Sequence, residues 1–128
     1  MTLILDSGGV NALCGQRARL AELRRRGLWP AQVASVVLTE ALTGDHRRDF
    51  EANRLVGLCQ VRDVGEQLAR EAALLRTRTG RASTISAVDA VVAAFAMSLP
   101  EPVVLTSDPD DLRALVDGAG VPVTIAAV

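Results

Sequence analysis

The groups in this chain best placed to do chemistry are carboxylates. Asp6 and Asp108 each stand just beyond a short apolar run, Asp89 lies at the start of an apolar helix, and Glu40 falls within a short helix after a turn. Other reactive groups are scarce. There is no Lys, which removes a P-loop lysine, a Schiff-base lysine and the lysine expected beside an aspartyl-phosphate acceptor. There is no Tyr, and the single His, His46, sits in the polar turn Gly44 to Arg48. A serine-nucleophile elbow of the G-x-S-x-G type is missing as well. Cys14 and Cys59 lack the spacing of a metal or redox pair and read as small buried hydrophobes in apolar helical contexts.

The elements that must position these acids follow from the apolar patterning. Thr2 to Leu5 reads as a first strand ending at Asp6, followed by a flexible Ser7-Gly8-Gly9 turn and a helix from about Asn11 to Arg26, with Gly27 as its cap. A short strand is expected around Gln32 to Ala34. Ser35 then caps a helix to Thr43 that carries Glu40, and Gly44 stops it. Asp45 to Leu58 and Gly65 to Arg78 read as helices, separated by a brief strand at Gln60 to Arg62. Ser86 caps a helix to about Leu99 that is apolar nearly all round, which implies burial, and Asp89 lies in its first turn. Val103 to Leu105 reads as a buried strand ending at Thr106-Ser107-Asp108, and Pro109 opens a helix that Gly118 and Gly120 end. Val121 to Val128 is the last strand. Strands alternate with helices throughout the 128 residues, which predicts one α/β domain, residues 1–128, around a parallel sheet.

Each acid taken singly has an ordinary structural reading. Asp6 could form a turn before Gly-Gly, Asp89 could reach back to the Ser86 amide in a capping box, Asp108 could cap the last helix, and Glu40 could face solvent. Together they change the weighing, because in a parallel sheet these positions can share one rim. Converging carboxylates repel unless a cation lies among them, and oxygen-only ligands favour Mg²⁺ or Mn²⁺ over Zn²⁺. Such a site suits phosphodiester hydrolysis without a histidine base, since a bound metal acidifies water and stabilises charge on the phosphate.

Four motifs in this order and spacing, LILDSG, LTEALTG, ISAVDAVVAAFA and VVLTSDPDDL, make the chain resemble a PIN domain, specifically the VapC-type toxin ribonucleases of toxin–antitoxin pairs. The resemblance implies a three-layer α/β/α sandwich and a Mg²⁺- or Mn²⁺-dependent endoribonuclease. By position, Asp6, Glu40, Asp89 and Asp108 match the family's catalytic acids, with Asp6, Asp89 and Asp108 as metal ligands. Thr106 matches the hydroxyl residue before the last acid, and Asp111 an accessory acid. The chain departs from the commoner pattern at Gly8-Gly9, looser than the usual turn, and at Ser86, where many relatives carry another Asp. The resemblance also implies an RNA substrate, a cognate VapB-like antitoxin covering the acidic groove, and a homodimer.

The rest of the sequence bounds this reading. A net charge of −1 gives no bulk attraction to nucleic acid. Arg17, Arg24, Arg25 and Arg26 could meet RNA phosphates or simply form a solvated helix face. Trp29 apart, the aromatics are Phe50 and Phe95, both at core-like positions, so base stacking is not expected and a folded RNA read by shape is the more natural target. No apolar run reaches membrane-spanning length and the N-terminus is too short for a signal peptide, so a cytoplasmic protein without membrane contact is expected. The competing functions are a PIN-like nuclease acting in RNA processing or on DNA, and a catalytically silent PIN-like binding module.

Overall fold

A computed structural model describes the whole chain, Met1–Val128. Its strands β1 (Thr2–Leu5), β2 (Gln32–Ala34), β3 (Gln60–Arg62), β4 (Pro102–Thr106) and β5 (Thr124–Ala127) form one sheet in the order β3-β2-β1-β4-β5. Every neighbouring pair is parallel. The helices are α1 (Ser7–Leu13), α2 (Arg17–Arg25), α3 (Leu38–Ala41), α4 (Phe50–Gly57), α5 (Glu66–Arg78), α6 (Ala87–Met97) and α7 (Pro109–Val116). The chain moves from β1 outward to β2 and β3, then returns and moves the opposite way from β4 to β5. With right-handed crossovers, this reversal places helices on both faces of the sheet. Helix α1 packs with α3 and α4, whereas α5, α6 and α7 pack on one another. The result is the expected three-layer α/β/α sandwich.

Burial follows the sequence pattern. Leu3, Ile4 and Leu5 of β1 and Val104 and Leu105 of β4 are buried in the middle of the sheet, as a strand covered on both faces requires. Helix α6 buries Ala90, Val92, Ala93, Ala94, Phe95 and Ala96, which accounts for its lack of a polar face.

Several boundaries differ from the sequence reading. The single helix expected from Asn11 to Arg26 is two helices, and the first begins at Ser7. Asp6 caps α1 and draws Ser7, Gly8 and Gly9 into its first turn, while Gly15, at φ +68°, turns the chain between α1 and α2. Ser35 does not cap a helix to Thr43. Residues Ser35–Val37 form a 3₁₀ turn leading into α3, which stops at Ala41 because Leu42 is extended. The helix expected from Asp45 begins only at Phe50, because the Asp49 carboxylate folds the preceding loop onto itself. It accepts the Thr43 and Gly44 backbone N–H groups and the Thr43 hydroxyl, at 2.8–3.0 Å. The last strand is shorter than expected, Thr124–Ala127. Cys14 and Cys59 are half-buried rather than core residues. Phe50 is not core either: it is 57% exposed, because Ala52 and Leu55 supply the inward face of α4 and the first residue of that helix points away from both.

Candidate active site

The strand order reverses between β1 and β4, and in open α/β sheets the crevice at the carboxyl ends of two such strands is where ligands bind. Leu5 pairs with Leu105 across this switch point, so the next residues, Asp6 and Thr106, face one another. Both are buried, Asp6 at 3% exposure and Thr106 at 0%. The Gly9 N–H donates to Asp6 Oδ1 at 2.8 Å, and the Thr106 hydroxyl donates to Asp6 Oδ2. Thr106 Oγ1 in turn accepts the Asp108 N–H at 2.9 Å. One hydroxyl therefore fixes the Asp6 rotamer and the turn that carries Asp108.

Close approach of α1 to the end of β4 explains the Gly-Gly pair. A Cβ on Gly9 would stand 2.5 Å from the Leu105 carbonyl oxygen, and one on Gly8 would stand 2.5 Å from Ser107 Cβ and 2.8 Å from its backbone nitrogen. Gly8 and Gly9 are thus a helical contact surface, not the loose turn their composition suggests.

Asp89 comes from another element, the first turn of α6. The Ser86 hydroxyl accepts the Asp89 N–H at 3.0 Å, which is half of a capping box. The other half is not made: the Asp89 carboxylate does not take the Ser86 amide, and no backbone N–H donates to it. Buried to 7% exposure, Asp89 has its pKa pushed up to about 6 by desolvation, then by the charges of Asp108, Asp6 and Glu40, against a small lowering by the Ser86 hydroxyl. Burial also raises the pKa of Asp6, with Asp108 adding to the rise and the hydrogen bonds from Thr106 and Gly9 opposing it. The exposed Glu40 is brought in by the packing of α1 on α3, where the Ser7 hydroxyl lies 3.5 Å from its Oε1. Asp108 occupies the cap position of α7 but makes no side-chain cap bond, so its carboxylate is not committed to the helix. The structure therefore brings Asp6, Glu40, Asp89 and Asp108 together, and all three others act on Asp89.

The remaining sequence candidates divide. Asp111 lies on the first turn of α7 and pairs with Arg81 at 2.9 Å, and it is not among the charges acting on Asp6 or Asp89. Arg25 is held by Glu22, whereas Arg17 and Arg24 line a groove away from the acids. Residues that sequence reasoning missed include Ser7, Gly8, Gly9 and Arg81. Their roles depend on which elements touch, and only the Gly-Gly pair left a local signal.

No three of these side chains close around a point tightly enough to hold an ion by themselves. The donor set nevertheless fits a hard, hydrated cation, because Mg²⁺ keeps several waters and takes only one or two carboxylates directly. The convergence of four carboxylates, two of them buried, favours this fit, since a divalent ion would offset both the desolvation and the repulsion that raise the pKa of Asp89.

No family model matches the sequence, and no curated protein matches it. Solved structures do. Over 98% of both chains, the fold is similar to VapBC from Salmonella typhimurium bound to DNA, at 18% identity and a TM-score of 0.69. It is similar to VapBC2 from Rickettsia felis bound to a DNA fragment from their promoter, over 100% of this chain and 99% of the other, at 13% identity and a TM-score of 0.68. It is also similar to FitAcB from Neisseria gonorrhoeae, at 20% identity and a TM-score of 0.60, covering 98% of this chain and 96% of the other. The fold is PIN-like. At these identities the likeness concerns the fold, and the chemistry rests on the acids.

Proposed function

We propose that this protein is a metal-dependent endoribonuclease, the toxin of a toxin–antitoxin pair. The observation that carries the nuclease reading is the meeting of Asp6, Glu40, Asp89 and Asp108 at the β1/β4 switch point, with the pKa of Asp89 raised by burial and by the other three. Asp6, Asp89 and Asp108 would hold Mg²⁺ or Mn²⁺. When bound, that ion supplies neutralisation of the carboxylates and Lewis-acid help at a phosphodiester. The chain's own part is positional. Gly9 and Thr106 hold Asp6 in one orientation, Thr106 holds the Asp108 turn, and Ser7 approaches Glu40. Glu40 and Asp108, both exposed, are the carboxylates nearest solvent and are suited to orient an incoming water.

The toxin role and an antitoxin partner rest on the motif resemblance and on the likeness in fold to the VapBC and FitAcB structures, and a homodimer on the motif resemblance alone. A cognate antitoxin laid over this rim would have to meet uncompensated negative charge, so a basic side chain is expected at the contact. No helix is long and apolar enough to cross a membrane.

The test is cleavage of total cellular RNA, and of DNA in parallel, by the purified chain with Mg²⁺ or Mn²⁺ and then with EDTA. Discrete RNA fragments that disappear with EDTA and in Asp6→Ala are the expected result. Cleavage of DNA alone would move the assignment to a DNA nuclease, and no cleavage by the folded protein would leave a silent binding module.

A further inference from the structure

Helix α1 links the acid rim to a second feature. It starts beside Asp6 and ends at Leu13, roughly 10 Å further on at 1.5 Å per residue. There a groove of about 470 Å³ opens between α2 and α4. Arg17, Arg24 and Arg54 line it, and none of these guanidinium groups is in an ion pair. Glu51 is the one acid in the lining. Arg54 lies over the Phe50 ring, 5.7 Å from its centroid, and that ring is 57% exposed.

We propose that this groove holds single-stranded RNA leading away from the acid rim, with Arg17, Arg24 and Arg54 meeting backbone phosphates and Phe50 offering its ring to a base. The inference rests on the nuclease reading above and adds to it where the strand runs. Three cationic side chains without acidic partners match a polyanion, and an exposed aromatic ring next to such a track is the arrangement that holds bases without reading their edges. The groove is a poor seat for an apolar helix. Leu13 and Leu55, which also line it, are 0% and 3% exposed and offer almost no surface, so the accessible apolar lining reduces to the half-buried Leu20 and to Leu58. The core-like sequence position of Phe50 argues against stacking; its exposure in the fold reverses that argument.

The experiment measures binding of a short labelled single-stranded RNA of mixed sequence to the full chain in EDTA, where cleavage is absent, across a series of salt concentrations. Arg17→Ala/Arg24→Ala/Arg54→Ala should weaken binding about ten-fold or more and flatten the slope of log affinity against log salt by roughly 2, at about 0.7 for each phosphate no longer neutralised. Phe50→Leu should weaken binding about five-fold or more with the salt slope unchanged, because stacking and not charge is removed. All four side chains are exposed, so circular dichroism should show both variants folded. Wild-type affinity and salt slope in the triple variant would overturn the proposal, as would a triple variant that binds RNA normally but fails to capture a partner protein. Failure of the nuclease reading looks different: the wild-type chain itself would neither bind nor cleave the RNA.

Discussion

Asp6 and Asp89 are buried to nearly the same degree, yet their surroundings treat the charge in opposite ways. Around Asp6 the protein has built a receptor. One carboxylate oxygen takes the Gly9 N–H and the other the Thr106 hydroxyl, and these bonds oppose the rise in pKa that burial and Asp108 cause. Around Asp89 it has built almost nothing. Burial and three neighbouring carboxylates act together, and only Ser86 opposes them. A group that also serves as a helix cap is part of the fold. A buried carboxylate surrounded by like charge lowers stability unless something arrives to neutralise it. The difference separates the acid that is built into the rim from the acid that leaves the rim with uncompensated charge.

The sharpest way to break this contrast is to neutralise each acid in turn. Asp89→Asn and Asp6→Asn should both reduce RNA cleavage by on the order of 100-fold or more, since each removes a carboxylate from the set proposed to hold the ion. Their effects on the metal-free fold should diverge. Asp89→Asn relieves repulsion and should raise the unfolding midpoint in EDTA at pH 7. Asp6→Asn exchanges a charged acceptor for a weaker one at the α1 cap and should leave the midpoint unchanged or lower it. Denaturant titrations of the two variants measure this, and equal shifts would erase the distinction between the two acids.

The same asymmetry should appear as a pH dependence of the unmodified protein. With the Asp89 pKa raised from 3.8 to about 6, the folded state holds a proton that the unfolded chain has released between these values. Stability in EDTA is therefore greatest below pH 4 as far as this group is concerned, and it falls as pH rises through 6, by roughly 2–3 kcal/mol. Burial of Asp6 acts in the same direction. Chemical denaturation at pH 4 and pH 7 measures the fall, and Mg²⁺ added at pH 7 should recover part of it. A metal-free protein equally stable at both pH values would mean that the rim carries no such repulsion.

Much of this arrangement was legible in the sequence, for identifiable reasons. Apolar runs ending in Asp6 and Thr106-Ser107-Asp108 mark strand ends locally, and the apolar length of α6 announces its burial without any knowledge of the fold. What could not be read depends on contacts between distant elements. Ser7-Gly8-Gly9 has the composition of a turn, and the Asp6 cap together with the close approach of β4 makes it the first turn of a helix. Phe50 has the composition of core, but in α4 it lies on the side away from Ala52 and Leu55, the residues that the fold buries. Glu40 has the strongest bland reading of the four acids, and it joins the rim only because α1 packs on α3.

Packing beneath Asp6 offers a smaller perturbation. Gly9→Ala places a methyl 2.5 Å from the Leu105 carbonyl oxygen, which neither the strand nor the helix can yield easily. The expected cost is about 1–3 kcal/mol, read as a lowered denaturation midpoint. Cleavage should fall with it, because α1 carries the donor that orients Asp6. Wild-type stability would show that α1 stands further from β4 than this packing requires.

The smallest change in shape isolates the hydroxyl that joins the two strand ends. Thr106→Val keeps the buried shape but removes the donor to Asp6 and the acceptor for the Asp108 N–H. The lost hydrogen bond to a charged group costs about 1.5–3 kcal/mol, and the orphaned N–H at a partly buried turn adds to it. The chemical effect should be distinct from the structural one. Without Thr106, one of the bonds that hold the Asp6 pKa down is lost, so Asp6 should keep its proton to higher pH and bind a divalent ion less well. The pH profile of cleavage should then move upward and the Mg²⁺ requirement rise, whereas Thr106→Ser, which keeps the hydroxyl, should restore both. If Thr106→Val loses stability but keeps the wild-type pH profile, the hydroxyl holds the fold alone, and Asp6 owes its charge state to the α1 cap instead.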